Sequence, residues 1–415
     1  MLEQFMLIGV IILVGFFASI LFERTGISDV LILMFIGIVI GPGLNLVDLA
    51  LFSSAVPFVG TIALIILLFD GGINLNFFRV LNELSDATLF TFIAFIFTIF
   101  TVGIAMTVAF GWPFSYGLLF GAVIGGTSSS IVLTVISRVK TSESVKTLLT
   151  LESALTDALC IVVSVTLVGL IVNSAVNLSS AGNALLGAFS IAAMVGLIVG
   201  MIWVGILRNF YQKPYGYLLS LAIVFLLYSL VEAVQASGAI AVLVFGLVIG
   251  NAQAVAKRMQ MDANFHIDKT FREFQLEITF FVRTFFFVYL GTLFNLFSLD
   301  TAVILIAVVS LVGIIVARYI GVEIISRMNP QLQDHKVLLT TMMPRGLAAA
   351  VLASYPLTFG LDIQHFAQSA LLIILITNVI ATAGIFAARS NEAEDSHAAP
   401  KNGGSKAKPR IVKQN

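Results

Sequence analysis

Gly125-Gly126-Thr127-Ser128-Ser129-Ser130 interrupts an otherwise apolar run over residues 115–137. A helix that crosses a bilayer needs about 20 mostly apolar residues, and this run is long enough. At a rise of ~1.5 Å per residue the interruption falls roughly 17 Å deep, near the midplane. Two glycines followed by four hydroxyl residues favour unwinding, because the hydroxyls can satisfy the freed backbone groups. Taken alone, the stretch also fits a small-residue packing face of the GxxxG kind. A second interruption, Met343-Pro344-Arg345-Gly346, lies at mid-depth of the run 336–358. The pairing of the two decides between those readings.

The solvent is fixed by composition. The chain has 415 residues, 59% hydrophobic and 11% charged, with 35 Phe and a mean hydropathy of +1.06. Soluble domains carry about 25% charged residues, so this exterior must face lipid. A soluble enzyme, a nucleic-acid binder and a disordered chain are excluded. The net charge is +0, which gives no field for a polyanionic partner. Cys160 is the single cysteine and lies in an apolar run, so there is no disulfide framework or thiolate metal cluster. The four histidines, His266, His335, His365 and His397, are far apart, and no HExxH pattern occurs. No cofactor is expected. The first apolar run follows Glu3 rather than a basic n-region and is long enough to span, so it does not read as a cleavable signal.

Outward from the two interruptions, spans are expected near 3–22, 30–48, 56–76, 87–110, 115–137, 146–173, 183–207, 215–233, 238–251, 276–297, 301–326, 336–358 and 366–388. That is a polytopic all-α membrane protein of thirteen helices with its termini on opposite sides. The basic residues outside the spans fall only in odd-numbered loops or the tail: Arg24, Arg79, Arg138, Lys140, Arg208, Lys213, Lys257, Arg258, Lys269, Arg272, Arg327 and Arg389 onward. The positive-inside rule then places the N-terminus outside and the C-terminus in the cytoplasm. Trp112 and Trp203 sit near span ends and read as interfacial aromatics. Residues 1–389 form the membrane domain. Residues 390–415 read as a disordered cytoplasmic tail, and no appended nucleotide-binding domain is expected.

Spans five and twelve are seven apart, so they run in opposite directions. Broken polar segments at matching places in two antiparallel halves point to a transporter of inverted repeats, with its site at their crossing. A channel would need no such symmetry.

Charges in hydrocarbon are costly and mark a pathway or a pair. In Leu151-Glu152-Ser153-Ala154-Leu155-Thr156-Asp157, Asp157 lies roughly 17 Å from the inner end of span six and Glu152 roughly 9 Å. Arg318, roughly 12 Å inside span eleven, shares the depth of Glu152. A buried arginine needs such a partner, so the two read as a structural ion pair. Asp157 is left as the midplane carboxylate without an obvious cation. Ser153 and Asp157, at i,i+4, present a hydroxyl and a carboxylate on one face beside Thr127. Glu152 and Thr156 make a second such pair on an adjacent face. These are the oxygen ligands of a small hard cation. Burial disfavours the charged form of an empty carboxylate, so proton and cation compete for one place.

Four further charges stay open. Arg345, after Pro344, neutralises a half-helix C-terminus, repels cations from the wrong cavity, or serves structure. Arg283, six residues after Glu277, pairs locally or snorkels. Asp70 and Glu232, near the ends of spans three and eight, line a funnel or reach the interface, with the interface favoured. Glu323 reads as interfacial.

With these residues in view, the chain resembles the monovalent cation:proton antiporters, in particular the NhaP-type and sodium/proton exchanger branch. The likeness covers spans three to thirteen. It rests on Phe69-Asp70-Gly71-Gly72, the span-five break, Glu152-Ser153 with Thr156-Asp157, Ala317-Arg318 and Pro344-Arg345-Gly346. The resemblance implies that Asp157 binds cation and proton, that Ser153 and Thr127 ligate the ion, and that Glu152 pairs with Arg318. Thr156 and Ser128 complete the expected site. It also implies a homodimer, with a moving core around spans 4–6 and 11–13 and a static remainder. Two positions depart from the family pattern: its Asn-Asp is Thr156-Asp157 here, and its Thr-Asp-Pro is Thr127-Ser128-Ser129. The second resembles the breaks of Kef-type potassium antiporters.

The expected function is exchange of Na⁺, or Li⁺ or K⁺, for H⁺ by alternating access in the cell membrane. With one free midplane carboxylate the exchange should be electroneutral. A Kef-like K⁺/H⁺ antiporter is the alternative within the class. A cation channel is the alternative outside it, and it would need a pore-lining ring or filter that the sequence lacks. An intramembrane aspartyl protease would need a second midplane aspartate, and Asp70 is too shallow.

Overall fold

The computed structural model describes residues 2–25, 27–44, 56–74, 86–136, 141–173, 178–210, 216–234, 236–258, 269–296 and 299–398. Arg79, Arg138, Lys140 and Lys213, used above for orientation, lie outside these residues, as does 399–415 of the expected tail. Every regular element among the described residues is helical. In chain order the α-helices are α1 (Leu2–Thr25), α2 (Asp29–Ile38), α3 (Val56–Asn74), α4 (Asp86–Phe110), α5 (Phe114–Val123), α6 (Ser129–Ile136), α7 (Glu143–Asn173) and α8 (Leu178–Phe210). There follow α9 (Gly216–Ala233), α10 (Gly238–Gly250), α11 (Ala252–Arg258), α12 (Lys269–Leu293), α13 (Thr301–Met328), α14 (Lys336–Thr341), α15 (Leu347–Thr358) and α16 (Phe366–Ala398). α16 runs into the stretch expected to be a tail.

Among the described residues, 6 helices are long and apolar enough to cross a membrane, or 7 if α10 and α11, bent by 76° at Asn251, form one span. Shorter apolar helices, α2, α3, α5, α9 and α15 among them, complete the bundle. The exterior is itself apolar: Phe17, Phe58, Val108, Met194 and Leu230 are exposed. One aromatic departs from its expected role. Trp203 is buried, and its indole N–H donates to Ser220 Oγ at 2.9 Å, so it ties α8 to α9 rather than anchoring at an interface.

Packing follows the small residues. α4 lies against α5, α7 and α13, while α10 lies against α3 and α8. α2 and α12 meet where Gly37 abuts Val288 and Gly291, and a side chain on either glycine would strike backbone. Backbones approach this closely only at small residues. Gly111 ends α4 in the left-handed region at φ 68, which admits glycine without strain, and reverses the chain into α5.

The two interruptions fall between separate helices. Residues 124–128 separate α5 from α6, and 342–346 separate α14 from α15. They lie against each other, since the Ser128 N–H donates to the Pro344 carbonyl at 2.8 Å.

Candidate ion-binding site

Unwound backbone in a dry interior must find partners for its polar groups. Here the second break supplies them to the first. Arg345, 2% exposed, donates through Nη1 to the Gly126 carbonyl at 2.6 Å and to Thr127 Oγ1 at 3.3 Å. Its guanidinium therefore sits on the carbonyl end that follows α5, where a cation suits the helix dipole. Its own backbone is held by α16: its N–H donates to Thr377 Oγ1 at 3.2 Å, and its carbonyl accepts from Asn378 Nδ2 at 2.7 Å.

Beside this crossing, Arg318 forks onto Glu152, with Nη1–Oε1 2.8 Å and Nη2–Oε2 3.1 Å. Two parallel charge-assisted bonds fix both side chains. Nε of Arg318 donates to the Leu339 carbonyl at 2.7 Å, and its guanidinium lies over the Phe90 ring. The Thr127 hydroxyl donates to Glu152 Oε1 at 2.8 Å. Both members are buried, and each nitrogen of the guanidinium and each oxygen of the carboxylate has a partner.

Asp157 is different. Its Oδ2 accepts from the Ser129 hydroxyl at 2.7 Å and from the Ser129 N–H at 3.3 Å. Ser129 is the first residue of α6, so the carboxylate lies at the positive end of a half-helix. Among the described residues no basic side chain forms an ion pair with Asp157. It opens instead onto a cavity of about 540 Å³, whose lining includes Asp70, Asn74, Ser128, Ser129 and Arg283.

The expected ligand residues divide in two. Asp157 and Ser128 line the cavity, whereas Thr127, Ser153 and Thr156 are buried outside its lining. The Ser153 hydroxyl turns back to the Thr150 carbonyl at 3.1 Å. Thr156 Oγ1 accepts from the Thr127 N–H at 3.0 Å and donates to the Ser153 carbonyl at 3.2 Å, so it braces the break.

The accessory charges also separate. Asp70 lines the cavity and accepts from Asn74 at 3.2 Å. Glu232 accepts from the Gly238 N–H at 2.8 Å at the start of α10, away from this cavity. Arg283 pairs across helices with Asp29 at 2.9 Å rather than with Glu277 of its own helix. Glu323 meets Arg327 and Lys336.

Sequence reasoning missed Ser129, Thr377, Asn378 and Asp29. Ser129 had a usable signal, because the residue that restarts a helix after an unwound stretch presents a free N–H. Asn378, in an apolar run, had none beyond its polarity.

Residues 9–388 match the transmembrane sodium/hydrogen exchanger family. The chain belongs to that family. It is similar to Na(+)/H(+) antiporter 1 of Methanocaldococcus jannaschii, 26% identical over 368 residues that cover 86% of this chain and 83% of that one. It is also similar to the K(+)/H(+) antiporter NhaP of Alkalimonas amylolytica, 26% identical over 60% of this chain and 44% of that protein. In fold it resembles the sodium proton antiporter MjNhaP1 from M. jannaschii at pH 8, with a TM-score of 0.71, 24% identity, and coverage of 92% of this chain and 100% of that one. As a member of the exchanger family it is a multi-pass membrane protein of a transporter class.

Proposed function

We propose that this exchanger carries Na⁺ and H⁺ in opposite directions, one for one, by alternating access at Asp157. The observation that carries the proposal is the contrast between carboxylates. Glu152 is locked by Arg318, whereas Asp157, five residues further along α7, has hydroxyl and N–H donors, no basic partner among the described residues, and faces an open cavity. A carboxylate with only neutral partners can exchange a proton for a cation. A charge in apolar surroundings is costly, so the helices bearing it move only when it is neutralised by one or the other.

Asp157, Ser128 and Ser129 offer oxygens at the cavity wall, and small shifts of the crossing would bring Ser153 and Thr127 into the coordination shell. Glu152 and Arg318 keep the breaks in register. The thirteen-span topology belongs to this reading, with the N-terminus outside, the C-terminus in the cytoplasm, and spans five and twelve as crossing broken helices. The cavity then opens to the cytoplasm at the ends of α3, α7 and α12. α4–α7 and α13–α16 form the moving core, and the remaining helices form the static half of a homodimer. Their packing supports this division, because α4 packs against α5, α7 and α13, while α10 packs against both α3 and α8.

K⁺/H⁺ exchange is the second reading. It draws on the Thr127-Ser128-Ser129 break and on the similarity to a K(+)/H(+) antiporter. Proton flux in proteoliposomes, driven in turn by Na⁺, Li⁺ and K⁺, separates the two. Na⁺ and Li⁺ are expected to drive flux more effectively than K⁺, with no membrane current. A robust current contradicts the one-for-one stoichiometry, and flux driven by K⁺ alone contradicts the Na⁺ assignment.

A further inference from the structure

A fixed positive charge on the path of a transported cation is a liability, and this cavity has one. Arg283 of α12 is in its lining, together with the carboxylates Asp70 and Asp157. Its Nη2 lies 2.9 Å from Asp29 Oδ2 at the start of α2, and its Nε is buried without a hydrogen-bond partner among the described residues. Asp29 is 2% exposed, and its other oxygen accepts from the Val30 N–H at 3.0 Å, so the carboxylate is anchored on both sides.

The pairing is built into the backbone. Gly37 meets Gly291, eight residues beyond Asp29 and Arg283 respectively. The two helices therefore run parallel, and the close glycine contact sets their register, which brings the acid and the base together.

We infer that Asp29 is a positioning residue for ion access: it holds the Arg283 guanidinium against α2 and cancels its charge, so that the cavity presents Asp70 and Asp157 to an arriving cation. This rests on the exchange reading above and deepens it. Without Asp29 the guanidinium has the two cavity carboxylates as its alternatives. A bare charge in the cavity wall, on the order of 10 Å from a bound cation in a medium of intermediate dielectric, lowers cation occupancy roughly five- to tenfold. The same charge is screened by salt where the cavity is wet.

The experiment measures Na⁺-driven proton flux in proteoliposomes at about 10 mM and about 150 mM ionic strength, set with an untransported organic salt. Asp29→Asn is expected to raise the Na⁺ KM roughly five- to tenfold at the lower salt, with the maximal rate kept and the effect shrinking at the higher. Asp29→Asn with Arg283→Gln is expected to return KM to the wild-type range, which a merely structural pair would not do. An unchanged KM in Asp29→Asn overturns the inference, as does an equal rise in single and double variants at both salts. Should Asp29→Asn fail to fold, Arg283→Gln alone decides: KM at or below wild type supports the assignment, and a raised KM overturns it. Wild-type protein without cation-driven flux overturns the exchange reading itself.

Discussion

Asp157→Asn is expected to reduce Na⁺-driven proton flux to the level of empty liposomes, while the protein still folds and elutes as the wild type does. The amide keeps the size and can still accept from the Ser129 hydroxyl and N–H, which contact a single oxygen, Oδ2. It therefore removes the charge and the proton site with little change in packing. Asp157 makes no ion pair among the described residues, so no buried arginine is stranded by the change. A folded Asp157→Asn protein with wild-type flux would rule out the carboxylate as the shared site. A misfolded one would indicate a structural role that the geometry does not suggest.

The second large effect concerns stability. Glu152→Ala and Arg318→Ala should each cost about 3–5 kcal/mol, because either change leaves a charge buried and uncompensated. Loss of Glu152 strands a guanidinium that also holds the Leu339 carbonyl, and loss of Arg318 leaves Glu152 with the Thr127 hydroxyl alone among its observed donors. The double variant removes both charges and should lose less than the sum of the singles, with a coupling of about 1–3 kcal/mol. Thermal unfolding in detergent on the four proteins measures it. Additive losses would mean that the fork contributes no pairing energy.

The sequence displayed this site unevenly, for physical reasons. Helical rise alone sets Glu152 and Arg318 at one depth, and hydrocarbon leaves a buried arginine few alternatives, so their pairing was legible. The breaks were legible too, because Gly125-Gly126 and Pro344 weaken a helix wherever they occur. What helical periodicity does not encode is rotation across a break. The i,i+4 relation puts Ser153 on the face of Asp157, yet its hydroxyl is drawn to the Thr150 carbonyl, and Ser129 from the next half-helix reaches the carboxylate instead. Long-range partners were hidden for the same reason. Asp29 and Arg283 are far apart in sequence, and the glycines that align their helices look like any other small residues in an apolar run. Trp203 shows the limit of compositional rules, since a partner hydroxyl within the bundle can satisfy an indole as well as a headgroup can.

The central claim is that one carboxylate serves both ions, and its most direct test is the Na⁺ KM for exchange as a function of pH. Two ligands that exclude each other from Asp157 compete by mass action. Lowering the pH should therefore raise the apparent KM, approaching about tenfold per unit once the site is mostly protonated. The rate at saturating Na⁺ should stay constant. A KM independent of pH, with acid lowering only the maximal rate, would mean that proton and cation occupy separate sites.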